Sequence, residues 1–87
     1  GNNVVIIAAG LVVILLAAAM AYAINIWFTR GEILHLLRDD DEYSLSEISS
    51  ELEAARWTVM LALIWLDSED RIEWVIGRHG VPRYRLT

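Results

Sequence analysis

The sequence predicts a single N-terminal transmembrane α-helix followed by a small α+β domain of three helices and a β-hairpin. Three observations predict this. Residues 4–28 contain no charged side chain, whereas all seven Arg and all twelve acids lie from Arg30 onward. Between Ile33 and Leu66 the apolar residues recur at helical spacing. From Ile72 onward they alternate, as they do in a half-buried strand.

A helix through residues 4–28 would be about 37 Å long, enough to cross a hydrocarbon core about 30 Å thick. Its polar residues Tyr22 and Asn25 lie near one end, and Tyr22 and Trp27 stand where interfacial aromatics belong. Ala21-Tyr22-Ala23 has the form of a signal cleavage site, but no basic stretch precedes the run and the run is long, so an anchor is expected. Arg30 and Arg38 follow the span and no Arg or Lys precedes it, so positive-inside counting puts the N-terminus outside and the C-terminal domain in the cytoplasm. Gly10, Ala17 and Ala21 share one face at seven- and four-residue spacing, a candidate packing surface for other transmembrane helices. No Asp, Glu, Lys, Arg or His lies within the span, which argues against an ion or proton path through it.

The expected division is residues 1–28 for the span and 29–87 for the domain. Thr29 is a candidate N-cap for a first helix with Ile33, Leu34, Leu36 and Leu37 as its apolar stripe, ending at the acidic turn Asp39–Glu42. Tyr43–Ser46 reads as a short extended entry. Ser44 or Ser46 caps a second helix with Leu45, Ile48 and Leu52 inward, and Ser44 with Glu47 fits a capping box. After a turn at Ala54 and Ala55, a third helix runs from about Arg56 to Ser68 with Val59, Leu63 and Leu66 inward. Ile72, Trp74 and Ile76 then alternate with Arg71, Glu73 and Val75, residues 77–82 supply turn chemistry, and Arg83–Leu86 alternates again.

Helices followed by a hairpin in this order resemble the winged helix-turn-helix. Ser44-Leu45-Ser46-Glu47-Ile48-Ser49-Ser50-Glu51-Leu52 is similar to the second helix of winged-helix regulators, and Ala62–Leu66 with Glu69 and Arg71–Glu73 resembles small bacterial and archaeal winged-helix domains. The resemblance covers residues 29–87. It implies that the outward side of the third helix is the contact surface, since that side enters the major groove in DNA-binding members.

The residues at those positions are Arg56, Trp57, Met60, Leu61, Ile64 and Trp65, and of these only Arg56 suits a groove of bases and phosphates. From Arg30 to Asp70 three Arg stand against eleven acids, −8, while from Arg71 onward four Arg stand against one Glu, +3. An acidic body disfavours duplex binding. The apolar positions fit a protein partner. The wing is the basic region: Arg83 and Arg85 share a strand face, with Arg78 and His79 at the tip, and could meet phosphate, lipid headgroups or an acidic surface.

No enzyme is legible. His35, set among leucines, reads as structural, His79 lies in another element, and there is no Cys. Asp39–Glu42 lacks the ligand spacing of a calcium loop, and Gly77 and Gly80 serve a hairpin rather than a phosphate loop. No cofactor or metal is expected. The leading expectation is a non-catalytic accessory subunit of a larger membrane protein complex. It would touch lipid, other transmembrane subunits and a protein partner of the winged helix, with nucleic acid disfavoured. The alternative is a membrane-tethered DNA-binding transcription regulator.

Overall fold

The computed structural model describes residues 1–39 and 41–87; of the expected acidic turn, Asp40 lies outside them. Helix α1 runs from Asn2 to Leu36 without a break, about 52 Å at 1.5 Å per residue. It is the one helix among the described residues that is long and apolar enough to cross a membrane, and none of its apolar window is buried within the chain.

Thr29, expected to cap a separate first helix, instead lies inside α1. Its hydroxyl donates to the Asn25 carbonyl at 2.9 Å and the residue is buried. Nothing stops the helix there: no Pro occurs near position 29, and Gly31 alone is too weak a breaker to end it. Beyond the apolar stretch one face turns inward, where Ile33 and Leu37 are fully buried, while Ile26 packs on the same core.

Strand β1, Tyr43–Ser44, leads into α2, Leu45–Leu52. Ser44 is the cap: the Glu47 N–H donates to its Oγ at 3.2 Å. Helix α2 ends with Glu53 in the left-handed region (φ 50°), where Ala54 N–H reaches Ser49 O and Glu53 N–H reaches Ser50 O. Helix α3, Arg56–Ser68, ends the same way, with Asp70 at φ 56° and Arg71 N–H bonded to Leu66 O at 3.0 Å. Both are the crossed hydrogen-bond pattern that a C-terminal glycine normally permits, here built without one.

Strands β2, Ile72–Ile76, and β3, Pro82–Leu86, form an antiparallel hairpin with Trp74 opposite Tyr84. Strand β1 adds to the far side of β3, pairing Tyr43 with Tyr84, so the sheet has three strands in the order β1-β3-β2. The core is Ile33 of α1 and Leu37 at its C-cap, Ile48 of α2, Val59, Ala62, Leu63 and Leu66 of α3, and Ile72 of β2. The architecture is three helices with a small antiparallel sheet, the N-terminal helix being the long apolar one.

The alternation in β2 predicts three inward residues, but only Ile72 is buried; Trp74 is 58% and Ile76 62% exposed. The hairpin runs past the helical body, so only its base has a core to meet. His35, expected as structural, is exposed, with Arg38 Nη1 2.9 Å from its Nδ1.

Candidate recognition surface

Helix α3 is apolar on both its inward and outward sides, and the inward side is committed to the core. Thr58, Val59, Ala62, Leu63 and Leu66 are buried, which turns the positions around Trp57 and Ile64 outward at helical spacing. Trp57 is 62% exposed, Ile64 59% and Trp65 37%; Met60 and Leu61 are half-buried. The expected outward face is therefore present, with its two middle residues partly sunk between neighbours. Arg56, at the start of α3, donates to Ser46 Oγ at 2.7 Å and so ties the two helices of the helix-turn-helix together.

Between α3 and the wing lies a groove of about 220 Å³ lined by Leu45, Met60, Leu63, Ile64, Trp74 and Tyr84, with Asp67 and Glu73 at its edge. The exposed Trp74 is thus one wall of an apolar channel rather than a core residue. The sequence signal for it was the β2 alternation, which marks a shared face without saying whether that face is covered.

The two arginines of the β3 strand face, Arg83 and Arg85, do not present free charge. Arg83 donates to Glu47 Oε1 at 2.7 Å and to the Glu42 carbonyl at 2.6 Å, and Arg85 to Glu73 Oε1 at 2.6 Å and Glu42 Oε1 at 3.2 Å. The bond from Arg83 holds the Glu47 carboxyl below its usual range, and the bond to Glu73 holds Arg85 above its own. Tyr43 is raised by desolvation and by the acids around it, Asp41 first. Arg78 and His79 sit at the exposed hairpin tip in one 3₁₀ turn, His79 at φ 64°. Among the described residues, Arg56, Arg71, Arg78 and His79 take part in no salt bridge with an acid.

A second cluster was not foreseen. Arg30 Nη2 lies 2.6 Å from Glu69 Oε1, and its guanidinium stands 5.6 Å from the centre of the Trp65 ring. The pair fixes the C-terminal end of α3 to α1. Its signal in the sequence, Trp65 and Glu69 one turn apart, has no meaning until α1 is known to continue past residue 28. The candidate helix-packing residues Gly10, Ala17 and Ala21 are all exposed, with no part of the chain upon them.

No protein-family model matches the chain, and no curated protein matches it. Solved structures do. The apo-Zalpha domain of zebrafish PKZ superposes with a TM-score of 0.60 at 21% identity, over 66% of this chain and 88% of that one. A mutant of ZitR from Lactococcus lactis in its apo form gives 0.65 at 25% identity, over 91% of this chain but 61% of its own length. Reduced HlyU from Vibrio cholerae gives 0.60 at 25% identity, over 83% and 79%. All three are winged-helix domains. Residues of this chain thus fold as a winged helix, mounted on a long apolar helix that supplies part of its core.

Proposed function

We propose that the chain is a membrane-tethered winged-helix regulator, in which α1 holds residues 29–87 against a bilayer and the winged helix recognises a macromolecule there. One observation carries the reading: the segment able to span a bilayer and the segment that completes the winged-helix core are one unbroken helix. Arg30 and Arg38 at its C-terminal end support a cytoplasmic winged helix. The likeness to ZitR and HlyU favours the regulator over the accessory subunit, and neither the fold nor the likenesses support assembly into a larger membrane complex.

Nucleic acid returns as a partner class with the fold, since helix-turn-helix folds present the counterpart of α3 to the duplex. The cations left for phosphate are Arg56, Arg71 and Arg78, with the His79 ring as a further donor beside Arg78, because Arg83 and Arg85 are spent on Glu47, Glu73 and Glu42. Such binding is weak and steeply salt-dependent. The test is titration of the full chain in nanodiscs with random-sequence duplex across a salt series. The logarithm of affinity should fall linearly with that of salt, and Arg78→Ala should lower the slope by about 1. Absence of salt-dependent binding at low ionic strength sinks the duplex reading.

The groove between α3 and the wing favours a second reading, docking of a protein on Met60, Ile64 and Trp74. On that reading Ile64→Asp and Trp74→Asp release whatever protein co-purifies with the wild type, and unchanged co-purification counts against it.

A further inference from the structure

The level at which α3 meets α1 is fixed by contacts at both ends of α3. At its start, Thr58 and the turn Glu53–Ala55 line a cleft with Asn25 and Thr29 of α1. At its end, Glu69 and Trp65 meet Arg30. Ile26 packs on the core between these points. Both ends of α3 therefore meet α1 between Asn25 and Glu32.

That level can be set against a bilayer. A core about 30 Å thick takes about 20 helical residues, so a span that begins at Val4 leaves the hydrocarbon near Ile24. Asn25–Arg30 then occupies the headgroup layer, where Trp27 on α1 is an interfacial aromatic. Helix α3 meets α1 at this depth, and the elements that bury it (α1 at Ile33 and Leu37, α2 at Ile48, β2 at Ile72) cover its other side. The remaining side carries the exposed Trp57 and Trp65 and the half-buried Leu61, and its one ionised contact is the Arg30 guanidinium over the Trp65 ring, itself paired with Glu69. Of its charged neighbours, Glu69 is paired with Arg30, Glu53 and Arg56 flank the preceding turn, and Glu32 lines the cleft with Asn25 and Thr29, so cations are not in excess there.

We infer that Trp57, Leu61 and Trp65 of α3 rest in the headgroup layer of the bilayer that α1 spans, so that lipid covers the lower flank of the helix a winged-helix domain uses for recognition. The inference rests on the tether reading. Its chemistry is that of the interfacial aromatic belt, amphipathic rings at the boundary of acyl chain and headgroup, and with no excess of cations on this flank a zwitterionic surface is sufficient. The wing tip lies at the opposite end of α2, Arg78 and His79 sharing a cleft with Glu47, whereas Leu52 and Glu53 share one with Asn25. The arrangement thus divides the surface into a lipid-facing flank and a tip and groove that remain open.

The test is tryptophan quenching in the full chain reconstituted in vesicles of phosphatidylcholine brominated close to the headgroup. Single-Trp chains keep Trp27, Trp57 or Trp74, with the other three changed to Phe. Trp57 should lose emission as strongly as Trp27, and Trp74 should keep its unbrominated intensity. If Trp27 is quenched and Trp57 is not, the inference is overturned and the tether stands. If Trp27 also escapes quenching, the span itself fails and the inference with it. As a measurement on a nearly native chain, the single substitution Trp57→Phe should remove a quenchable component from the emission; an unaltered quenchable fraction overturns the inference as well.

Discussion

Glu47 shows how one side chain serves both a helix and the wing. Its N–H meets the Ser44 cap, while its carboxylate, expected to complete a capping box, holds Arg83 across 36 residues of sequence. Because the folded state keeps this carboxyl below its usual range, the folded state binds the proton less readily than the unfolded chain does. The stabilisation is therefore complete above the ordinary carboxylate range and lost as pH falls through the lower, folded value. Glu47→Gln should flatten that part of the acid-unfolding curve, at a cost of about 0.5 kcal/mol near neutrality for a half-exposed pair. Gly77 is coupled to the same contact: a Cβ there would stand 2.5 Å from Arg83 Cδ and 2.9 Å from its Cγ. Gly77→Ala should push Arg83 off Glu47, so the double variant should cost less than the sum of the two singles. Additive losses in a double-mutant cycle on urea unfolding would show that the two positions are independent.

At the scale of elements, the start and end of each helix were unequally legible. Ser44 and the limits of α3 could be read because an oxygen-bearing cap and an apolar stripe are local signals. The stops of α2 and α3 carry no glycine, so Glu53 and Asp70 adopt left-handed backbone against their own preference because the chain must turn there. A left-handed residue with a Cβ costs about 1–2 kcal/mol. Glu53→Gly should therefore raise stability by about 0.5–1 kcal/mol once the glycine's greater unfolded freedom is subtracted, read as a higher urea midpoint at unchanged slope. A lower midpoint would mean that the Glu53 side chain holds the turn in place. The missed continuity of α1 has a different origin. Composition changes sharply at Arg30, but a change from lipid-facing to core-facing side chains alters what covers a helix without altering the backbone's reason to stay helical. Likewise the β2 pattern gave Ile72, Trp74 and Ile76 one face, and only the reach of the helical body decides that Ile72 alone is covered.

For the whole molecule, the winged helix is not a bead on a string. Residues 29–87 alone are near the size at which a single core is marginal, and α1 contributes Ile33 and Leu37 to that core, with Ile26 against its edge. On the proposed tether reading, an anchor that is also a core helix transmits position: wherever α1 sat in a bilayer, α3 and the wing would follow without a hinge. The same residue type should then have opposite importance at two places on one helix. Ile33 is fully buried and Ile14 is 64% exposed. Ile33→Ala removes buried methylenes from a small core and should cost about 2–5 kcal/mol, enough to abolish a cooperative melt in a domain of this size. Ile14→Ala should shift the melt of the same winged helix by no more than about 0.5 kcal/mol, since it touches nothing in that core. The measurement is the near-ultraviolet circular dichroism of the full chain in nanodiscs during chemical unfolding. Equal, small effects at both positions would mean that the winged helix folds without α1, and the rigid coupling of anchor to recognition surface would be lost with it.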